Sequence, residues 1–135
     1  MKHFLRENTW IGGTDRGWGN GYVALPRQHP LFGMDTIEIN EKLGYGFVHG
    51  GVTWARNSDH IVGWKEVKDM DNMWVIGWDT THFGDDIANY PKERVFKENI
   101  GFAIAIAQIW GDDIKKQSND LELFVNEIRE TLFNI

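Results

Sequence analysis

The chain contains no cysteine, so it has no disulfide framework and no thiolate for catalysis or metal binding, which suits a cytoplasmic protein. Basic residues are also scarce: 14 Lys and Arg stand against 20 Asp and Glu, for a formal net charge of -6. Binding to DNA, RNA or an anionic membrane draws on a clustered cationic surface, and no such cluster is present. These partners are therefore not expected. Long hydrophobic runs are missing as well. The longest uncharged apolar stretch, Asn99 to Gly111, is too short to span a bilayer, and Met1 to Glu7 lacks the apolar centre of a secretory signal. No Gly-x-Ser-x-Gly elbow or Ser-x-x-Lys pair occurs, which argues against covalent acyl transfer. What remains is a cytoplasmic protein with one domain over residues 1–135, a length adequate for one core.

Tryptophan and glycine are abundant, at seven and fifteen. Tryptophan supplies large apolar area and glycine permits sharp turns, so the pair predicts a compact sheet protein or a pocket with aromatic walls. Five glycines crowd into positions 12–21 and mark a loop, one that could close over a site as a lid. No Lys-Ser or Lys-Thr follows, so a phosphate loop is not indicated. Extended segments are predicted at Tyr22–Leu25, Thr36–Asn40, Phe47–Ala55, His60–Trp64 and Met73–Trp78. The last is nearly all apolar and reads as a central strand, entered from the polar connection 65–72.

Two helices are predicted after residue 86. One is buried, from Ile100 to Trp110, and ends at Gly111-Asp112-Asp113. The other is capped by Asn119 or Asp120 and carries Leu121, Phe124, Val125, Ile128, Leu132 and Ile135 on a face that should lie against the sheet. Strands first and helices last predict an α+β domain: a mainly antiparallel sheet packed by a C-terminal helix and one further buried helix. The apolar segment from Ile100 to Trp110 serves equally as a core element or as the contact of a homo-oligomer.

Two blocks concentrate the groups that can move protons or grip polar ligands. In His49-Gly50-Gly51-Val52-Thr53-Trp54, the glycines clear side chains from the backbone beside an imidazole, leaving N–H groups for an anionic oxygen. The alternative is a glycine bend between two strands, with His49 satisfied by the backbone. In Trp78-Asp79-Thr80-Thr81-His82-Phe83-Gly84-Asp85-Asp86, Asp79, His82 and Asp85 recur three apart and converge if the chain bends at Gly84. The alternative is capping of a turn by short acidic side chains. A metal site using His49, Asp79, His82 and Asp85 is conceivable, but the spacings match no zinc pattern, so neither a metal nor a cofactor is expected.

These blocks, with Asn20-Gly21-Tyr22-Val23-Ala24-Leu25-Pro26, His29-Pro30 and Gly33, resemble a family of short bacteriophage and prophage proteins of unassigned function. The likeness covers about half the chain. Family members more often carry Cys-Ala where this chain has Thr80-Thr81, and Ala in place of Phe83; Asp79, His82, Gly84 and Asp85 match. The final helix resembles the family's ending, whereas residues 87–117 read as an insertion. The resemblance implies one shared pocket built from His49, Gly50, Gly51, Thr53, Trp54, Asp79, His82 and Asp85, working in the cytosol of a host cell. By analogy with other small phage proteins, its ligand would be a nucleotide-derived signal of host defence, a cyclic nucleotide or an ADP-ribose-like molecule, sequestered with Trp54 stacking on the base. An enzyme reading uses the same groups: His82 as base, oriented by Asp79 or Asp85, His49 as acid, and the Gly50 and Gly51 amides for developing charge. A third reading is an inhibitor that occupies a host protein.

Overall fold

The computed structural model describes residues 1–9 and 15–133. Four strands, β1 (Lys2–Glu7), β2 (Gly19–Leu25), β3 (Trp54–Asn57) and β4 (Trp74–Trp78), form one antiparallel sheet in the order β1-β2-β4-β3. Helix α1 (Thr36–Leu43) lies between β2 and β3, and α2 (Lys92–Phe133) ends the described chain. This is the α+β arrangement the sequence predicted, with a long C-terminal helix and one further helix. No described helix is long and apolar enough to cross a membrane.

The period-2 alternation of the strands sorts the core onto two faces. Val23, Leu25, Ile76 and Trp78 point one way and pack with Val95, Phe102 and Ile106 of α2, together with Leu31 and Ile39. Tyr22, Ala24 and Val75 point the other way, under Trp54, Trp64 and Met70. Gly77 belongs to this second face because a Cβ there would stand 2.5 Å from the Tyr22 ring.

A buried amide fastens helix to sheet. Asn99 of α2, with no exposed surface, accepts from Trp78 Nε1 at 3.1 Å and donates to the carbonyls of Tyr22 at 3.2 Å and Phe4 at 3.3 Å. It can approach because residue 21 is glycine; a Cβ there would meet Asn99 Oδ1 at 2.4 Å.

Several local expectations are corrected. Thr36–Asn40 is helical, because Asp35 and Glu38 form a capping box: the Glu38 N–H donates to Asp35 Oδ1 at 2.8 Å, and the Asp35 N–H donates to Glu38 Oε1. The Ile37-Glu38-Ile39 alternation is too short to outweigh it. Of Phe47–Ala55 only Trp54 and Ala55 are in a strand, and His60–Trp64 holds no strand. Strand β1, which the sequence did not signal, is recruited by the β2 edge.

The two predicted C-terminal helices are one. Gly111 inside it costs only about 1 kcal/mol relative to alanine, and no proline breaks the run. Phe102 and Ile106 are buried, but Ile104 is 57 % exposed, so the Ile100–Trp110 segment buries one face rather than its whole circumference. Leu121, Phe124, Val125 and Ile128 do not lie against the sheet; all are exposed, on a stretch that runs beyond the body, while the Leu132 side chain and Ile135 fall outside what is described.

Candidate functional site

The two histidine blocks meet where β4 ends. The loop 48–53 is held there by Asn40 of α1, whose buried amide donates to the Val52 carbonyl at 2.7 Å and accepts from the Val52 N–H at 2.9 Å. Thr53 N–H then donates to the Gly77 carbonyl, extending the sheet by one residue before β3. On the other side, Thr80 is fully buried and its hydroxyl donates to the Gly19 carbonyl at 2.7 Å. The chain leaving β4 is therefore pinned to β2 before it reaches His82. Gly84, at φ +86, closes the turn in which the Asp85 N–H donates to the His82 carbonyl.

The result is a continuous polar chain. His49 Nε2 stands 3.0 Å from each Asp85 carboxylate oxygen, and His49 Nδ1 stands 2.9 Å from the Tyr90 hydroxyl. Asp85 also accepts the His82 N–H at 2.9 Å and lies 3.2 Å from His82 Nδ1. Asp79 Oδ1 is 3.5 Å from the same ring nitrogen. Asp79 is itself fixed, accepting from Thr53 Oγ1 at 2.6 Å and from the Thr81 hydroxyl and N–H. The two imidazoles lie edge to face, with centroids 5.2 Å apart. Gly50 makes that approach possible: it sits at φ +71, and a Cβ there would be 2.4 Å from His82 Cε1.

Both carboxylates are held in their ionised form. Burial alone would raise Asp85, but the hydrogen bonds from His49 and the His82 N–H outweigh it and bring the group below its ordinary value. Asp79 behaves alike: burial opposes the charge, and Thr53, Thr81 and His82 more than compensate. Tyr90 is pushed upward, first by burial and then by Glu98, so its hydroxyl remains protonated at neutral pH.

Beside this cluster opens a cleft of ≈ 420 Å³ lined by Tyr45, Phe47, His49, Gly50, Glu98 and Phe102 among others. Among the described residues, Glu98 Oε2 is buried and has no hydrogen-bond partner.

Of the eight residues predicted to share a pocket, the fold brings together His49, Gly50, Thr53, Asp79, His82 and Asp85. Gly51 contributes a turn at φ +78, and its N–H is already donated to the Val48 carbonyl. The expected pair of free amides is therefore not formed. Trp54 faces away: it stacks on Trp64 at 5.0 Å on the opposite side of the sheet, as strand alternation requires once Ala55 points toward α2. Aromatic walls for the cleft come instead from Tyr45, Phe47 and Phe102.

Tyr90, Glu98 and Asn40 were missed from sequence. None sits in a motif, although the Asp85–Tyr90 spacing just before Pro91 does place Tyr90 at the mouth of the helix. The lid expected from residues 12–21 falls partly on residues outside those described. Of the remainder, the Gly17 N–H donates to the Thr80 carbonyl and the Trp18 N–H to that of Tyr90, which ties this segment to the site's back wall. Comparison with protein-family models, with curated proteins and with solved structures finds no match.

Proposed function

We propose that the protein binds a nucleoside-bearing small molecule in the cleft between α2 and the 45–50 loop and sequesters it rather than cleaving it. The observation that carries this reading is Glu98. A carboxylate oxygen removed from water without a partner costs about 1–3 kcal/mol or more, an expense a ligand donor would offset. Ribose hydroxyls or an exocyclic amine are donors of the right kind, and acidic side chains serve ribose this way in dinucleotide sites. Phe47 and Phe102, edge to face at 6.0 Å, and Tyr45 supply apolar walls for a base. The volume admits a nucleoside, with the rest of a larger signal molecule extending past His82. Together with the likeness to phage proteins, this supports capture of a nucleotide-derived defence signal.

Holding is favoured over hydrolysis because both ring nitrogens of His49 are already engaged by Asp85 and Tyr90, leaving no nitrogen free to protonate a leaving group. The hydrolase reading retains one support: His82 Nδ1 faces Asp79 and Asp85, an arrangement that orients the other ring nitrogen as a base. Incubating the protein with cyclic dinucleotides and cyclic ADP-ribose isomers, then heating it and analysing the mixture by chromatography, separates these readings. Depletion followed by release of intact ligand is expected, and Glu98→Gln and Phe102→Ala should weaken it. New products would establish the hydrolase instead, and no depletion of any compound would refute both.

A further inference from the structure

We infer that His49, His82 and Asp85 form a binding site for a divalent first-row transition-metal ion. One ligand atom from each of the three lies within 4.8 Å of the others. Around a four-coordinate ion with bonds of roughly 2.0–2.2 Å, neighbouring ligand atoms stand about 3.3–3.6 Å apart. The His49 Nε2 to Asp85 separation of 3.0 Å and the His82 Nδ1 to Asp85 separation of 3.2 Å need only small outward shifts to admit one.

Three further features suit an ion better than an internal hydrogen bond alone. His49 Nε2 is equidistant from both Asp85 oxygens, so a single N–H proton there would be divided between two acceptors. The opposite nitrogen, Nδ1, already has the outer partner that metal-bound histidines ordinarily keep, the Tyr90 hydroxyl. Among the described residues, Asp79 and Asp85 form ion pairs only with histidine, never with Lys or Arg, so the cluster lacks a permanent positive charge. Asp79, 3.5 Å from His82 Nδ1 and locked by Thr53 and Thr81, stands ready as a further oxygen ligand or as an outer-sphere anchor. Two imidazoles with one or two carboxylates select Zn²⁺, Mn²⁺, Fe²⁺ or Ni²⁺ over Mg²⁺ and Ca²⁺, which prefer all-oxygen sites. From spacing alone a metal site on these residues is conceivable but matches no metal motif, because His49 lies 36 residues from Asp85 and only the fold joins them.

The site does not depend on the nucleoside reading and is tested without any nucleotide. Chelator-treated, folded protein is titrated calorimetrically with Zn²⁺, Mn²⁺ and Mg²⁺, and its Co²⁺ complex is followed by visible absorption. One transition-metal ion per chain is expected, with no Mg²⁺ binding. His82→Ala and His49→Ala should each weaken Zn²⁺ by roughly 100-fold or more, and Tyr90→Phe by about 10-fold through the outer partner. His60→Ala, on an exposed turn, should change nothing. Should His49→Ala fail to fold, the half-exposed His82 variant carries the test. Absence of binding to the folded wild type, or retention of full affinity in His82→Ala, would overturn the site.

A separate observation concerns the projecting half of α2. Ile114, Leu121 and Ile128 recur at intervals of seven and are 52 %, 62 % and 43 % exposed, with Phe124 and Val125 exposed between them. With Phe124 at the intermediate core position they form an apolar stripe at coiled-coil spacing, interrupted by Gln117 and Thr131, which a partner helix can cover. We propose that the partner is a second copy of this chain, paired in parallel and in register. Asp113, Asp120 and Glu127 line one flank of the stripe at the same interval, while Ser118 and Val125 line the other. A parallel copy sets each acidic flank against the partner's uncharged one, whereas an antiparallel copy sets acid against acid.

Sedimentation of the full chain should give a dimer that Leu121→Asp with Ile128→Asp converts to a monomer. Because the chain has no cysteine, Ile114→Cys provides a unique crosslink, which should form between like positions. A monomeric wild type at tens of micromolar would overturn the pairing, and a dimer that Ile114→Cys cannot crosslink would overturn its parallel register.

Discussion

Replacing Gly50 by alanine separates backbone strain from the design of the site. Gly50 sits at φ +71 with His82 Cε1 2.4 Å and Nε2 2.5 Å from where a Cβ would be. Gly33 is the matched control: its φ is +81, and nothing lies within 4 Å of its added Cβ. Both substitutions force an L-residue into the left-handed region, at about 1–2 kcal/mol. For a domain of this size each kcal/mol lowers Tm by about 3–5 °C, so Gly33→Ala should melt roughly 3–10 °C below the wild type. Gly50→Ala carries the same backbone cost and must also expel the His82 ring, which swings away from Asp85 and Asp79. The lost polar contacts add about 1 kcal/mol, or a few degrees more. The functional signature is sharper than the thermal one. Long-range ¹H–¹⁵N spectra of the imidazoles should show the His82 nitrogens shifted in Gly50→Ala and unchanged in Gly33→Ala, with loss of Zn²⁺ binding only in the former. If the two variants melt together and the His82 signals stay in place, the missing side chain at residue 50 is not what positions that ring.

The remaining predictions probe the scaffold. Asn40→Ala leaves the N–H and carbonyl of nearly buried Val52 without their side-chain partners and should cost roughly 2–4 kcal/mol by urea denaturation, with faster amide exchange across residues 48–53. Asn99→Ala orphans the Trp78 indole N–H in a site with 1 % exposure, and about 2–4 kcal/mol is expected; an effect under 1 kcal/mol would mean that water replaces the amide there. His29 supplies a pH dependence. It accepts the Leu31 N–H at Nδ1 and donates from Nε2 to the Ile106 carbonyl, so the buried ring is neutral; burial holds it below its ordinary value near 6.5, with the Ile106 bond opposing. The unfolded chain takes up its proton first, so stability should fall as pH drops through about 6.5 and level off below the folded value. His29→Gln should remove that part of the slope, and identical slopes in both proteins would refute the assignment.

Much was legible in short-range pattern. The near-continuous apolar run ending at Trp78 marked a central strand, and β4 does lie between β2 and β3, because only a strand covered on both faces tolerates so little polarity. The same reasoning placed Asp79 at a rigid strand end and let Gly84 turn Asp85 back toward His82, contacts made over three to six residues. Local chemistry also misled where two signals competed. The capping box at Asp35 and Glu38 overrode a brief alternation, and a helix able to absorb Gly111 swallowed a predicted break.

What the sequence could not disclose depends on residues brought together from afar. The glycines after His49 marked a backbone stripped of side chains, but not that Asp85 and Tyr90 would occupy both imidazole nitrogens across 36 and 41 positions. It marked Trp54 as an aromatic next to the site, but which face of a strand a side chain takes follows from register, and register sends Trp54 to Trp64 instead. Glu98 looked like one more helix-surface acid until the packing of α2 closed water away from one of its oxygens. Composition and periodicity thus determined the class of fold and the histidine and aspartate blocks, though not Tyr90 or Glu98. Tertiary packing alone decided which of them meet, which are spent on each other, and which are left lining an open cleft, because desolvation and distance are properties of the folded chain.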